Sequence, residues 1–446
     1  MRWTALLVAA CLVACGPDGR VTPFATTSKP TLPTTGRDLP AGGTAWSNTS
    51  LARIFTELTH GLEWGAERPN LVRYEDPVRV AMTGPGSTSY TRFLDLYLGE
   101  LKTRAGVAIA RATGPANLHI RFVEGPRFEG LFPGISCLVT PGDLDWDTFR
   151  TDPDGYGGRG LETGTRQTQT TIFLPQTAAP YLIRSCLIEE VAQALGPAND
   201  LYGLGPSIFN DDAAHIWPTD LDYLMLRTLY QPQLTSGLSR TQTESAARAA
   251  LDRINPAGID APPLPLVQPR ALKAWRRTHQ EIFTAPPGSR AAEQTALRAR
   301  ALAVRHASGS AYHCHSMRTL GRVMARRVAG EALRILKDAS RICEEVHGPD
   351  DIRLALIGLE RAIALERQGS PSLVIRELAL HEGALAGHGH DERLAALYNL
   401  RANAYLALQQ GAKSFEARQL ARAWAAYAYG RDNDVLTRMG DDEGDG

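Results

Sequence analysis

From about Thr241 nearly to its end, the chain is rich in Ala, Leu, Arg and Glu, with apolar residues at helical spacing. Helices of this kind bury one stripe each and gain stability only by stacking on one another. Gly348-Pro349-Asp350-Asp351 recurs as Gly389-His390-Asp391-Glu392, and each is followed by a helix bearing Ala and Leu at short spacing. The period is about 40 residues, in the range of helical-pair repeats. The expectation is an all-α helical-repeat domain over 239–440, with a plain helical bundle as the alternative and an acidic tail at 441–446. The first pair, near His306 to Arg341, fits poorly. Upstream of a boundary near Pro232 to Ser239, the pattern mixes helix and strand.

The N-terminus has a different character. Arg2 precedes a short apolar run from Thr4 to Val13, a signal-peptide layout too short to span a bilayer, which takes about 20 residues. Leu12-Val13-Ala14-Cys15 resembles the bacterial lipobox. The resemblance implies cleavage of a signal peptide (1–14) and lipid on Cys15. Gly16 in place of Asp implies the outer membrane, periplasmic face, in a diderm cell. Residues 15–46, rich in Thr, Pro and Gly, read as a flexible tether. Lys+Arg and Asp+Glu are both 48, so bulk charge gives no reason to expect nucleic acid as a partner. Four cysteines remain in an oxidising compartment, Cys137, Cys186, Cys314 and Cys343. The natural pairing is Cys137 with Cys186 and Cys314 with Cys343, one disulfide per domain, with free buried thiols as the alternative.

Between 47 and 238, strand-like segments lie at Pro77–Met82, Leu118–Val123, Ile135–Val139 and Thr170–Leu174, with helices at Tyr90–Arg104 and Ala178–Leu195, an α+β pattern. The second helix ends in Glu189-Glu190-Val191-Ala192-Gln193-Ala194-Leu195-Gly196-Pro197-Ala198-Asn199-Asp200. Residues 189 and 193 share a helix face, and Gly196 lets the chain turn back so that 199 can approach it. This resembles the metzincin zinc-protease pattern H-E-x-x-H-x-x-G-x-x-H. Downstream, Ser207-Ile208-Phe209 resembles the turn beneath the metal in that superfamily, with Phe209 where methionine would stand. Pro218-Thr219-Asp220-Leu221-Asp222 through Leu226 and Leu229-Tyr230 resembles its last helix. The block from Cys186 to Pro232 is also similar to a bacterial domain family of unassigned function reading Cys-Leu-x-Glu-Glu-x-x-Gln, Asn-Asp, Ser-Ile-Phe and Leu-Tyr. A zincin-like (metzincin-like) fold is thereby implied.

The resemblance places Glu189, Gln193 and Asn199 at the ligand positions and Glu190 at the general base. Two of the three ligands are then neutral amides, poor for zinc; an oxygen-only set is closer to what calcium or magnesium accepts. Without an activated water, Glu190 has nothing to deprotonate. The three side chains could equally serve only to hydrogen-bond one another or nearby backbone. Asp200 and Phe209 border the cleft. Asn210-Asp211-Asp212 reads as a solvated turn, and His215 as a loop histidine rather than a replacement ligand. In the repeats, which resemble tetratricopeptide repeats around Asn399 to Tyr405, His313-Cys314-His315 is a poor metal cluster because residues two apart on a helix diverge. Arg322, Arg326 and Arg327 read as a solvated basic face. The expected molecule is a lipid-anchored cell-envelope pseudopeptidase without resident cofactor. It binds protein or peptide partners through cleft and repeats. The alternative is an active metal-dependent peptidase using Glu190.

Overall fold

The computed structural model describes residues 46–430 apart from 64, 133–134, 211, 264–271 and 287. The signal segment, Cys15, the tether as far as residue 45 and the tail at 441–446 lie outside the described residues. Helix α1 (Asn48–His60) precedes strand β1 (Val78–Thr83), helix α2 (Thr91–Arg104), and strands β2 (Ile109–Arg111) and β3 (Leu118–Val123). Short helices α3 (Gly125–Glu129), α4 (Trp146–Phe149) and α5 (Gly160–Thr163) surround strand β4 (Leu138–Pro141) and lead to β5 (Thr170–Pro175). Helices α6 (Pro180–Ala194) and α7 (Asp220–Leu229) follow.

The strands form one five-stranded sheet in the order β2-β1-β3-β5-β4. Four are parallel, and β4 runs antiparallel at the edge with Val139 opposite Ile172. The sequence pattern exposed four strands; β2, three residues long, was too short to show alternation. The ladder of β4 begins at Leu138 rather than Ile135. A mainly parallel sheet interleaved with helices is an α/β arrangement, more mixed than the segregated α+β pattern expected.

The core of this region joins Leu51 and Phe55 of α1, Leu98 of α2, Leu118 and Ile172 of the sheet, Leu187 of α6 and Leu226 of α7. Helix α8 (Arg240–Ile254) belongs to it as well, with Ala247, Ala250 and Leu251 fully buried there. A capping box between Ser239 and Gln242 starts α8. The helix packs on α1, where Asn48 Nδ2 donates to Asp252 Oδ1 at 2.9 Å. The sheet region therefore extends beyond the expected edge at 238.

The remainder is all-helical: α9 (Lys273–Thr284), α10 (Arg290–Ala307), α11 (Ala311–Ala325), α12 (Ala329–His347), α13 (Ile352–Arg367), α14 (Pro371–Gly387), α15 (Asp391–Ala407) and α16 (Gly411–Tyr429). Neighbours pack as α11 with α12, α13 with α14 and α15 with α16, while α13 also touches both α11 and α15. The pairs start 41 and 39 residues apart. Gly348 and Gly389 precede the second and third pairs with φ of 95° and 75°, a backbone state that glycine adopts without strain. The first pair, weakest in sequence, is pinned by the Cys314–Cys343 disulfide. No helix among the described residues is long and apolar enough to cross a membrane.

Loop 205–216 joins the two regions. Asp212, expected in a solvated turn, is 8% exposed. Arg353 of α13 donates through Nε to its Oδ2 at 2.7 Å and through Nη1 to Asp351 at 2.9 Å. Burial works against ionised Asp212, but the Arg353 charge, the Ala214 N–H bond and further contributions together outweigh it and the net pKa is lowered. Ala214 is buried in the core of the second and third helical pairs, and its carbonyl lies 3.0 Å from His390 Nε2. Arg184 of α6 donates to Asp391 of α15 at 2.8 Å.

Candidate functional site

Helix α6 carries the motif, and its ends explain its placement. Pro180 sits in the first turn, where its missing N–H costs nothing. Gly196, with φ of 145°, turns the chain at the other end; a Cβ there would lie 2.7 Å from Leu229 Cδ2 and 3.0 Å from the Val72 carbonyl. A disulfide joins Cys186, one turn before Glu189 and Glu190, to Cys137 beside β4. Closing a loop of 49 residues in the unfolded chain corresponds to about 4 kcal/mol in the chain-entropy account.

Glu190 points into protein and is 6% exposed. Burial, then the nearby charges of Glu189 and Glu63, push its pKa well above the usual carboxyl range. Its Oε2 has no hydrogen-bond partner among the described residues. One turn along, Gln193 donates from Nε2 to Glu63 Oε1 at 3.0 Å. Asn199 donates from Nδ2 to the Glu57 carbonyl at the end of α1, at 2.9 Å, and its Oδ1 is buried without a partner. The chain passes Asn199 closely at Gly61, where a Cβ would lie 2.3 Å from Nδ2. Glu189 instead borders a cavity of about 80 Å³ between α6 and loop 208–216, walled also by Ile208, Asn210 and His215.

The structure thus ties Gln193 and Asn199 to α1 and the turn after it, while Glu189 faces the neighbouring loop. Their amide donors are already engaged, leaving carbonyl oxygens as the amides' contribution to any cation. Among the described residues no group of three or more His, Cys, Asp or Glu is disposed to hold a metal. The donor set does not fit catalytic zinc. A raised pKa favours the acid form of Glu190, which can donate a proton, over the carboxylate that a general base requires.

Phe209 is fully buried in the sheet-domain core, and Trp217 packs there edge-on to Phe93. The Ser207–Phe209 turn is organised by Asp222, which the sequence placed only within the block resembling a last helix, with no role of its own. Ser207 Oγ donates to Asp222 Oδ1, and the backbone N–H groups of Ile208 and Thr219 donate to Oδ2 at 3.1 and 2.7 Å. Burial dominates and pushes the Asp222 pKa up to about 6, although those hydrogen bonds pull the other way. The Thr219-x-x-Asp222 capping box was the visible signal. Asp200 is buried, and its carbonyl accepts from Arg276 Nη2 at 3.2 Å. Arg276 also donates to the Glu63 carbonyl at 2.7 Å, so α9 reaches across to the motif. His215 is held neutral, its pKa pushed down to about 3 by burial and by Arg353. Asp211 lies outside the described residues.

In the repeats, His315 packs against His279 with their Nε2 atoms 2.7 Å apart, and Cys314 is in the disulfide. Burial comes first in lowering both histidine pKa values well below normal. Arg322 and Arg326, expected on a solvated face, instead line a cavity.

Residues 48–249 match the model of a family described as a protein of unknown function, DUF2927. The match starts at α1 and ends within α8, in step with the packing of those two helices in one core. No curated protein and no solved structure matches the chain.

Proposed function

We propose that this chain is a cell-envelope lipoprotein anchored through lipid on Cys15, whose DUF2927 region is a zincin-like domain without catalytic metal and whose helical repeats, of tetratricopeptide type, complete a surface for protein or peptide partners. The single observation carrying the cleft reading is the burial of Glu190, 6% exposed with Glu189 and Glu63 close by, which favours the neutral acid at the position where a peptidase needs an ionised base. The engagement of Gln193 with Glu63 and of Asn199 with the Glu57 carbonyl supports it further, because both amides act there as structural donors. The short apolar run and Leu12-Val13-Ala14-Cys15 support the anchor. A second reading, an active metal-dependent peptidase, draws on the unpartnered Glu190 Oε2 and Asn199 Oδ1, two buried oxygens with capacity for another group.

Metal analysis of the purified chain separates the readings. The first expects less than stoichiometric metal and no cleavage of casein. Stoichiometric zinc bound through Glu189, or cleavage abolished by Glu190→Gln, would overturn it. For the anchor, incorporation of a palmitate analogue is expected in the native chain and lost in Cys15→Ser. Equal labelling of both contradicts it.

A further inference from the structure

Helix α10 carries four arginines and one acid, and its outer face shows how they are disposed. Leu297 and Val304, each 42% exposed, stand at i and i+7 with exposed Ala301 between them. At about 100° per residue these positions form one stripe along the helix. Arg290 continues the stripe toward the N-terminus, while Arg300 falls on one side of it and Arg305 on the other. These three arginines are exposed, and none makes an ion pair or side-chain hydrogen bond among the described residues. The remaining charges of the helix are paired: Glu293 with Arg327, and Arg298 with Glu281 of α9 at 3.4 Å.

A face with an apolar centre and uncompensated arginines at its borders suits an anionic lipid surface. A helix lying in a bilayer interface sinks its apolar residues into the headgroup boundary and holds its cations at the level of the phosphates. Nucleic acid would meet arginine, not leucine, at the centre of the contact. The 18 residues of α10 span about 27 Å, so the three arginines reach several headgroups at once. Each guanidinium fork can bind a phosphate through two parallel hydrogen bonds.

We infer that the outer face of α10 docks on a membrane bearing anionic phospholipids, with Arg290, Arg300 and Arg305 on the phosphates and Leu297 and Val304 at the headgroup boundary. The inference draws on this face alone and stands whether or not Cys15 carries lipid. In an anchored chain, the contact sets which side of the body faces the bilayer.

The test is co-sedimentation of the full chain with vesicles of phosphatidylcholine, with and without phosphatidylglycerol. Every version carries Cys15→Ser, so lipid on that residue plays no part. Tighter binding to the anionic vesicles, weakening with added NaCl, is expected. Arg290→Gln, Arg300→Gln and Arg305→Gln together should weaken it about a hundredfold, about fivefold for each charge. Lys at the same three positions keeps the charge and should hold binding within a few-fold of the parent. Leu297→Gln with Val304→Gln should weaken it about tenfold. All five side chains are exposed, so these changes leave the core intact. Equal binding to neutral and anionic vesicles, or equal binding by the parent and the arginine-to-glutamine variant, overturns the surface. Binding that needs the arginines but is indifferent to Leu297 and Val304 overturns the interfacial contact and points instead to an acidic protein.

Discussion

Two buried carboxyl groups, about twenty residues apart in sequence, are neutralised in opposite ways. Burial, with the like charges of Glu189 and Glu63 adding to it, raises the pKa of Glu190 on α6 and favours its acid form. Asp212, in the loop joining sheet and repeats, faces Arg353 and is held ionised. Desolvation penalises both, and the neighbouring charge decides the outcome. The joint is a paired, structural use of buried charge. Helix α6 keeps a buried acid with a raised pKa, the kind of group that marks a functional site or the remnant of one.

The joint offers the largest expected effect. Arg353→Met leaves Asp212 and Asp351 buried without their cation, and unfolding in urea should show a loss of about 3–5 kcal/mol. A loss under 1 kcal/mol would mean that the pair is wetter than its burial indicates. Next, replacing Cys314 and Cys343 together by Ala removes the clip on a loop of 29 residues and should cost about 3–4 kcal/mol. Retained stability would show that α11 and α12 hold by packing alone. Smallest is Arg341→Ala, which breaks an exposed pair with Glu345 on α12; a change within about 0.5 kcal/mol is expected. A larger change would blur the contrast between buried and exposed charge.

How much of this could be read from sequence depended on range. Alternation exposed Val78–Thr83 and Leu118–Val123 because every second residue enters the core. The repeats announced themselves through Gly348 and Gly389, local turn signals with a fixed period. Helix α1 was passed over although Leu51, Ile54, Phe55 and Leu58 recur at helical spacing, because half of its buried residues are polar and dilute that stripe. Thr56 and Thr59 donate to carbonyls of their own helix, and His60 Nε2 meets Thr243 Oγ1 at 2.9 Å. Helix α8 has the same spacing as the repeats that follow, so nothing local marks it as part of the sheet core.

The candidate site divides along the same line. The spacing of Glu189, Glu190, Gln193 and Asn199 was legible, and Gly196 turns the chain as expected. Their partners were not. Glu63 lies 130 residues from Gln193, and Arg353 lies 141 from Asp212. Contacts of that span depend on the finished fold. The raised pKa of Glu190 is likewise set first by burial, then by the adjacent Glu189 and by Glu63, and of these only Glu189 is visible locally.

The contrast between the two carboxyl groups is tested most directly at Glu190, whose pKa is raised. A carboxyl whose folded pKa is raised binds more protons folded than unfolded, so its contribution to stability falls as pH rises above the unfolded value of about 4.3. Stability of the native chain and of Glu190→Gln, measured by urea unfolding from pH 5 to 8, isolates it, because the other titrating groups are shared. The account predicts that the native chain loses ground to the variant as pH rises, by up to about 1.4 kcal/mol per unit while Glu190 stays protonated. A difference that is flat across this range, or that favours the native chain at high pH, would mean that Glu190 is ionised and available as a base.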